Sequence, residues 1–292
     1  MARFKIWITG SNGQLGSELS ALAKNVSEAA FIYTDVGELD ITDLDQVRNF
    51  VVEQQPDFLI NCAAYTAVDR AEEDAYTAFR VNAYGPRNLA LACHEASVRM
   101  IHLSTDYVFD GKSTCPYTEE SRVNPQSVYG HSKLEGEREV LVNDANAIII
   151  RTAWLYSSYG SNFVKTMLRL ASERDSVRVV ADQCGTPTYA RDLAEAILLV
   201  VKKTAANPGF WTPGLYHYSN EGVCTWYDFA MAIMEEAGLS CAVIPVATAE
   251  FPVIANRPAY SVLSKSKFCN TFGFDVPHWR SSLRECLHLI TK

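Results

Sequence analysis

The feature that most constrains this chain is a glycine-rich turn between a short apolar run and a helical pattern near the N-terminus. The run Phe4–Thr9 is rich in β-branched and aromatic residues and predicts a strand, and the leucines after the turn recur at helical spacing. Between them, Gly10, Gly13 and Gly16 form the pattern G-x-x-G-x-x-G. Glycines let the backbone approach a pyrophosphate, and the following helix offers free N–H groups. The turn therefore predicts a dinucleotide site, and a purely structural turn is the alternative.

Apolar runs and helical patterns alternate along the first half of the chain. Further strands are predicted at 31–34, 58–63, 98–104 and 147–150, and helices at 43–52, 74–96 and 128–142, the second of them broken near Gly85-Pro86. Parallel strands need crossover connections, and these are usually helices. The alternation therefore predicts an α/β fold with a doubly wound parallel sheet of the Rossmann type.

The regular alternation ends after Arg151. We predict a dinucleotide-binding domain over 1–152 and a smaller α/β substrate domain over 153–292, with part of about 177–201 packing back onto the first domain. Residues 204–214 hold two prolines and two glycines and are predicted to form a linker.

Composition and charge argue against several classes of protein. The 292 residues are 48% hydrophobic, and a net charge of −8 with thinly spread Lys and Arg argues against a nucleic-acid surface. No apolar run approaches the roughly 20 residues that span a bilayer, and the first residues lack the sections of a signal peptide. The eight cysteines include no C-x-x-C pair, so neither a disulfide framework nor a zinc site is expected. We expect a soluble, cytoplasmic protein that binds neither nucleic acid nor membranes.

An acidic residue follows the second predicted strand at the distance typical of dinucleotide folds. Asp35 lies 19 residues beyond Gly16, where a carboxylate can bond the ribose 2′-OH, and no arginine is close in sequence to hold a 2′-phosphate. These features favour NAD, although the loop after Asp35 leaves NADPH use open. Asp40 and Ile41 follow on the adenine side. The alternative is a solvated aspartate at a strand end.

Three side chains supply the chemistry of a carbonyl reduction. Tyr129 and Lys133 are four residues apart, so a helix places them on one face. A nearby ammonium lowers the pKa of a tyrosine, which can then donate its proton to a developing alkoxide. Thr105 ends the fourth predicted strand, where ligands of open α/β sheets bind, and its hydroxyl can bond the same oxygen. A Y-x-x-x-K match also occurs by chance, and a strand-end threonine is often only a turn cap.

Longer stretches around these residues resemble a known family. They are GSNGQLGSEL, NCAAYTAVDRAEED, STDYVFDG, YGHSKLEGE, RTAWLY, DQCGTPTYARDLA and NRPAYSVL, and they run from Gly10 to Leu263. The chain is similar to the extended short-chain dehydrogenase/reductases and, through STDYVFDG and AAYTAVDRAE, more narrowly resembles the dTDP-4-dehydrorhamnose reductases. The resemblance implies an NADH- or NADPH-dependent oxidoreductase that acts on a dTDP-sugar in polysaccharide biosynthesis.

The resemblance also implies site residues. Thr105, Tyr129 and Lys133 would form the catalytic triad. The implied cofactor contacts are Gly10, Gly13, Gln14, Leu15, Gly16, Asp35, Asp40, Ile41, Ala63, Ala64, Tyr65, Thr66, Tyr129 and Lys133. The implied substrate contacts are Val68, Thr105, Asp106, Tyr107 and Trp154. Arg257 is a further candidate, for the pyrophosphate of the substrate, and a structural salt bridge is the alternative for it.

Two contrasts with the wider family limit the reaction. Nucleotide-sugar 4,6-dehydratases carry an Asp-Glu pair after the threonine, whereas Tyr107 follows Asp106 here, which disfavours dehydration. Some family members hold magnesium with glutamates at a dimer interface. Glu18 matches one of these positions, but Arg191 falls near another expected acid, so no metal site is predicted. A homodimer is compatible with the resemblance, but no sequence stripe indicates it.

The favoured hypothesis is reduction of the C4 ketone of dTDP-4-dehydro-L-rhamnose to dTDP-L-rhamnose, with Tyr129 as the proton donor. One alternative is another nucleotide-sugar reductase or an epimerase, because the sequence does not resolve the shape of the sugar pocket. The other alternative is a non-catalytic regulatory subunit like the β subunit of methionine adenosyltransferase. The intact set of Thr105, Tyr129 and Lys133 counts against that reading.

Overall fold

The computed structural model describes residues 4–251 and 254–290. The strands are β1 (Phe4–Thr9), β2 (Ala29–Thr34), β3 (Phe58–Asn61), β4 (Arg99–Thr105), β5 (Ile148–Thr152), β6 (Leu155–Tyr156), β7 (Ser176–Val180), β8 (Cys184–Gly185), β9 (Thr188–Tyr189), β10 (Gly214–His217), β11 (Cys224–Thr225) and β12 (Ala242–Val246). The helices are α1 (Gln14–Ala23), α2 (Leu44–Gln54), α3 (Val68–Glu73), α4 (Ala75–Phe79), α5 (Gly85–Ala96), α6 (Val128–Asn143), α7 (Phe163–Glu173), α8 (Ala190–Ala206), α9 (Trp226–Ala237), α10 (Ser266–Phe272) and α11 (Trp279–Ile290). Within these two ranges, no helix combines the length and the apolar character needed to cross a bilayer.

Six strands form one parallel sheet in the order β2-β1-β3-β4-β5-β10. The predicted α/β class with a parallel, doubly wound sheet is confirmed. The chain moves from β1 to β2 on one side and then from β3 onward on the other, so the order reverses between β1 and β3. In such sheets the ligand crevice lies outside the carboxyl ends of the strands at this reversal. The glycine turn after β1 stands at that point.

Helices cover both faces of the sheet because the side chains of its strands alternate. In β1, Ile6 and Ile8 pack in one apolar cluster with Leu19 of α1 and Ile197 of α8. Trp7 points to the other face, where it packs with residues of α2 and α5. α8 therefore belongs to the core of the first sheet, although it follows strands of the second half of the chain.

A second apolar cluster holds the later part of the chain together. It combines α7, α9 and α11 with the parallel pair β7 and β12, and its buried centre includes Phe229, Ile233 and Leu283. α9 begins at a capping box in which the Thr225 hydroxyl and the Asp228 carboxylate each bond the backbone of the other. The segment after β5 packs against this cluster through Trp154 and Tyr156.

The segment predicted as a linker, 204–214, is more ordered than its turn residues indicate. α8 continues to Ala206, and the Trp211 side chain is buried, with its Nε1 donating to the Asn146 carbonyl at 2.8 Å. Gly214–His217 then pairs with β5 as the last strand of the main sheet. The prolines and glycines mark real turns, but the apolar Phe210 and Trp211 anchor the segment against the first sheet.

The predicted break near Gly85 is confirmed. A π-helical turn, Arg80–Tyr84, precedes α5, which begins at Gly85 with Pro86 in its first turn. A Cβ on Gly85 would lie 2.6 Å from Ile41 Cδ1. The glycine therefore allows the helix to approach the loop that carries Ile41.

Candidate active site

The turn after β1 is tightly packed at its glycines, where a side chain would not fit. Gly10 has a φ of +62°, in the left-handed region that favours glycine, and a Cβ there would lie 2.6 Å from the Ala63 nitrogen. A Cβ on Gly16 would lie 2.5 Å from the Gly10 oxygen. No side-chain hydrogen bond caps α1 at Gly13, so the N–H groups of its first turn remain available to an anion. The turn fits the pyrophosphate of a dinucleotide.

Replacing Gly16 with alanine is expected to weaken cofactor binding by at least about tenfold, since the added methyl group forces the turn away from the helix. Titration calorimetry with NADH and NADPH measures the change. Gly209→Ala is the matched control, because a Cβ there meets nothing closer than 3.4 Å. Equal cofactor affinities of the Gly16→Ala variant and the unaltered chain would contradict the assignment of this turn.

The outer end of the crevice lies between the glycine turn and the segment after β2. Both oxygens of Asp35 accept backbone hydrogen bonds, from Asn12 N at 2.9 Å and from Val36 N at 2.8 Å. The carboxylate therefore ties the glycine turn to the end of β2. Asp40 and Ile41 line the same space, which has a volume of about 470 Å³. Its position and its acidic residues fit the adenosine half of a dinucleotide.

An arginine that is remote in sequence reaches this end of the crevice. Arg80 donates to Asp40 Oδ2 at 3.1 Å and to Thr42 Oγ1 at 2.8 Å. Burial opposes ionisation of Asp40, but the hydrogen bonds from Thr42 and the charge of Arg80 bring its pKa below the ordinary value. The sequence shows no arginine close to Asp35, yet the fold places one beside Asp40. The expected preference for NAD rests on Asp35 and on the absence of a nearby arginine. The second argument no longer holds.

The three predicted catalytic residues meet at the inner end of the crevice. Thr105 is the last residue of β4, and Tyr129 and Lys133 lie one turn apart on α6. All three are less than a tenth exposed and line one hollow. The Thr105 hydroxyl lies beside the Tyr129 phenol and acts to lower its pKa, and Lys133 Nζ donates to the Leu103 carbonyl at 2.6 Å. A phenol, a hydroxyl and an amine are thus presented together to whatever occupies the hollow.

Burial governs the protonation of both groups on α6. It raises the pKa of Tyr129 to about 12, against a hydrogen bond with Thr105 that lowers this pKa, and the charge of Asp106 adds to the rise. Burial also lowers the pKa of Lys133 to about 8, while the charge of Glu137 opposes the change. The sequence predicts that Lys133 lowers the pKa of Tyr129, whereas the structure has this pKa raised. The reason is that both groups are desolvated and the ammonium is directed to a backbone carbonyl. The phenol is therefore protonated at neutral pH.

Asp106 is buried beside this group. Burial raises its pKa to about 6, while the neighbouring Ser261 hydroxyl and the hydrogen bond from Thr105 act to lower it. Its Oδ1 accepts from Thr105 Oγ1 at 3.0 Å. Because the carboxyl titrates close to neutral pH, its charge depends on pH in the range where enzymes work.

A buried ion pair lies next to the predicted catalytic residues on α6. Glu137 follows Lys133 by four residues on α6 and accepts from Arg151 Nε at 2.8 Å and from Arg151 Nη2 at 2.6 Å. The Ser104 hydroxyl donates to Glu137 Oε1. Burial and the Arg151 charge lower the pKa of His217 to about 3, so this neighbour is neutral. Glu137 therefore balances the charge of Arg151 and joins α6 to β4 and β5.

The side of the hollow that faces away from the glycine turn is formed by residues of both halves of the chain. Val68, Tyr107 and Trp154 line it together with Asp106. Arg257 does not line this hollow. It lies in adjoining hollows, and its Nη2 donates to Asp69 Oδ2 at 3.0 Å, so the structural salt bridge predicted as its alternative role is present. All the other predicted cofactor and substrate contacts line the crevice or its inner hollow.

Comparisons with known proteins agree with this geometry. The family model described as "RmlD substrate binding domain" matches residues 4–291. The chain belongs to the RmlD family. It is 43% identical over 283 residues to the spore coat polysaccharide biosynthesis protein SpsK of Bacillus subtilis, covering 97% of this chain and 96% of that protein. It is 41% identical over 286 residues to the dTDP-4-dehydrorhamnose reductase of Aggregatibacter actinomycetemcomitans, covering 96% of this chain and 97% of that enzyme.

A solved structure extends the comparison to three dimensions. The dTDP-4-dehydrorhamnose reductase of Bacillus anthracis, in complex with NADP, has a TM-score of 0.92 and 39% identity, with 99% of each chain covered. The predicted resemblance to the dTDP-4-dehydrorhamnose reductases is confirmed, and this RmlD-family chain is an oxidoreductase of that kind. The roles of its individual residues remain predictions.

The sequence analysis missed part of the inner hollow of this RmlD-family chain. Gln14 Nε2 donates to the Leu155 carbonyl at 3.4 Å, and Asn162 Nδ2 donates to Gln14 Oε1 at 3.0 Å. The glycine turn is thereby joined to the segment between β6 and α7. Further lining residues not predicted are Cys62, Leu103, Ser104, Thr152, Ala153, Leu155, Gly160, Ser161 and Asn162. Asn162 gives the one usable signal, because Asn before an apolar helical run marks a helix start.

The residues of this RmlD-family chain do not fit the magnesium site that the resemblance implies for some relatives. Glu18 is buried, its Oε1 accepts from Ser157 Oγ at 2.6 Å, and burial raises its pKa. Arg191 stands near the position of another expected acid and bears a charge of the wrong sign for a ligand. Among residues 4–251 and 254–290, no group of three or more His, Cys, Asp or Glu side chains is arranged to hold a metal ion.

Proposed function

We propose that the chain reduces the C4 ketone of dTDP-4-dehydro-L-rhamnose to dTDP-L-rhamnose with NADH or NADPH. The observation that carries the proposal is the position of Thr105, Tyr129 and Lys133, where a dinucleotide-shaped crevice opens into the hollow beside Trp154. The names of the reductase relatives support the substrate, and the NADP bound to the Bacillus anthracis enzyme supports the cofactor.

The reaction needs a hydride, which the reduced nicotinamide supplies when it is bound. Tyr129 donates a proton to the C4 oxygen, and the Thr105 hydroxyl bonds the same oxygen and orients the ketone. A phenol with a pKa of about 12 keeps its proton until charge develops on that oxygen, and a secondary alkoxide is more basic than a phenolate. Lys133, whose Nζ donates to the Leu103 carbonyl, lines the same hollow as the phenol and would bond the nicotinamide ribose of the bound cofactor.

Dehydration of the sugar is disfavoured by the side chains beside Thr105. Asp106 is followed by Tyr107, whose phenol has a pKa raised above its ordinary value by burial and by the Asp106 charge. A second carboxylate next to Asp106 would be needed for the acid-base pair that the dehydratases carry. The site therefore supports proton donation to one oxygen and not an elimination.

The test is consumption of NADH and NADPH with dTDP-4-keto-6-deoxy-glucose, with and without a 3,5-epimerase. Consumption only in the presence of the epimerase, with dTDP-L-rhamnose as the product, is expected and ranks the two cofactors. Consumption without the epimerase, or a product of other stereochemistry at C4, would indicate a different nucleotide-sugar enzyme. Cofactor binding with no consumption in either case would overturn the proposal and favour a regulatory subunit.

Activity is expected to depend on the charge of Asp106. Its pKa of about 6 lies above the ordinary value, so the carboxylate is ionised above about pH 6 and takes up a proton below it. If the ionised form accepts hydrogen bonds from the sugar, kcat/KM for the sugar falls by about tenfold per pH unit below that pKa. A profile between about pH 5 and 8 measures this. Asp106→Asn is expected to have lower activity and to lack this limb, and a flat profile in the unaltered chain would contradict the role.

We further propose a cytoplasmic enzyme that acts as a homodimer. All eight cysteines are free thiols, which supports a reducing compartment. The homodimer rests on the family resemblance alone. Size-exclusion chromatography with light scattering tests it, and a monomer at working concentrations would exclude it.

A further inference from the structure

One residue of the inner hollow has a backbone conformation that its side chain does not favour. Among the residues that the structure describes, only Gln55, Ser97 and Trp154 have a positive φ without being glycine. Gln55 and Ser97 are the C-terminal caps of α2 and α5, where the left-handed conformation is usual. Trp154, with a φ of 48°, ends no helix, and a bulky residue in this region is an outlier. Contacts of its side chain must hold it there.

Two contacts limit the position of the Trp154 indole. It stacks on the indole of Trp226, with ring centroids 3.5 Å apart and an angle of 9° between the planes. It also covers Gly185, where a Cβ would lie 2.5 Å from Trp154 Cε2. The backbone of Trp154 is held as well, since its carbonyl accepts from Thr188 N at 3.1 Å. The indole is therefore held by the stack with Trp226 and by close packing on Gly185, which has no side chain.

Trp226 is itself held firmly, although it is not part of the inner hollow. It is the first residue of α9, directly after the capping-box residue Thr225. The ring of Phe163 lies against it with centroids 4.7 Å apart. Trp226 also lines a separate apolar hollow together with Met167 and Val179. The position of α9 therefore fixes Trp226, and Trp226 fixes the Trp154 indole. Trp154 lines the hollow that holds Tyr129.

We propose that Trp226 is a positioning residue that sets sugar affinity by holding Trp154 in place as the wall of the substrate hollow. The inference rests on the proposed function, because it takes the hollow lined by Trp154 as the site of the sugar. Stacking offsets the unfavourable backbone of Trp154, and the stacked indole limits how the sugar ring can sit over Tyr129. The adenosine-side contacts Asp35, Asp40 and Ile41 line a separate part of the crevice that does not include Trp154.

Three variants and a spectroscopic signal test the inference. Trp226→Leu removes the stack, Trp226→Phe keeps a ring that can stack, and Gly185→Ala displaces the indole because the added Cβ would lie 2.5 Å from Trp154 Cε2. Two stacked indoles give an exciton couplet in far-ultraviolet circular dichroism, which we expect in the unaltered chain and not in Trp154→Phe or Trp226→Phe. Trp211→Phe and Gly209→Ala are the controls. Both residues lie away from the hollow, so both variants are expected to keep the couplet.

The kinetic result expected is a change in sugar binding alone. Trp226→Leu and Gly185→Ala raise KM for the sugar by roughly 2- to 12-fold, the range that aromatic pair energies correspond to, with kcat and the KM of the cofactor within about twofold. Trp226→Phe returns KM to within about twofold of the unaltered chain. An unchanged sugar KM in Trp226→Leu and Gly185→Ala, an equal rise in the KM of the cofactor, or no couplet in the unaltered chain would each overturn the inference.

The outcome is distinguishable from failure of the proposed function. If the unaltered chain shows the couplet but reduces no sugar, the proposed reduction fails and the pair is tested by calorimetry with dTDP-L-rhamnose. Weaker binding by Trp226→Leu than by the unaltered chain then supports the positioning role. Equal affinities, or binding by neither, overturn it.

Discussion

Replacement of Tyr129 with phenylalanine is expected to lower kcat at least ~100-fold, which is the usual size of a general-acid contribution. The hydroxyl removed is the one that lies beside Thr105 in the inner hollow, and phenylalanine keeps the ring and its packing. The edge-to-face contact with Tyr107, with centroids 5.4 Å apart, is retained. The loss should therefore appear in kcat and not in stability or in cofactor affinity. Steady-state kinetics with saturating cofactor measures it.

Tyr84→Phe is the matched control, because the Tyr84 side chain is half exposed and lies outside the crevice. It should leave kcat unchanged. Turnover of Tyr129→Phe within a few-fold of the unaltered chain would remove the tyrosine from the mechanism. A loss of activity that accompanied a lower Tm would instead indicate a packing role for the hydroxyl.

Replacement of Arg151 with methionine is expected to destabilise the fold by about 3–5 kcal/mol, the typical cost of removing one partner from a buried ion pair. Both side chains of the Arg151–Glu137 pair are at most 4% exposed, so Glu137 would be left with an uncompensated charge. The guanidinium also lies over the Phe109 ring, 5.1 Å from its centroid. Thermal unfolding should show a Tm lower by roughly 6–15 °C.

The exposed pair of Arg48 and Glu95 provides the control, since both side chains are more than two fifths exposed. Arg48→Met should change Tm little, because surface ion pairs contribute little to stability. The double variant Glu137→Met/Arg151→Met should recover part of the loss, since neither charge of the pair is left buried without its partner. An Arg151→Met variant as stable as Arg48→Met would show that the buried pair is not a structural anchor of α6.

The parts of the fold and the site that the sequence predicts are those encoded over short distances. The glycine turn, the spacing of Tyr129 and Lys133 and the position of Thr105 at a strand end are each visible within a few residues. Each follows from the geometry of one strand, turn or helix. The resemblance to a family then indicates which of these local patterns belong to one site. Periodicity alone does not indicate this.

The parts not predicted depend on contacts between distant segments. Arg80 reaches Asp40 only because the helices before α5 pack beside the loop after β2. Arg151 of β5 forms an ion pair with Glu137 because α6 packs beside β5. The raised pKa of Tyr129 has the same origin, since burial depends on everything that surrounds the phenol. A spacing rule carries no information about desolvation, and so it gave the wrong direction for this pKa.

The return of the chain to its first sheet has a consequence for synthesis on the ribosome. The last strand of that sheet, Gly214–His217, follows α7, β7 and α8 in the chain, so these must be made before the sheet is complete. Until then the outer edge of β5 presents unpaired N–H and C=O groups, and the sheet face that α8 covers is open to solvent. Unpaired edges and exposed apolar surface favour pairing with other nascent chains. The sheet edge and the sheet face are therefore covered only after most of the chain has been synthesised. The glycine turn is made first, but the sheet that carries it is completed late.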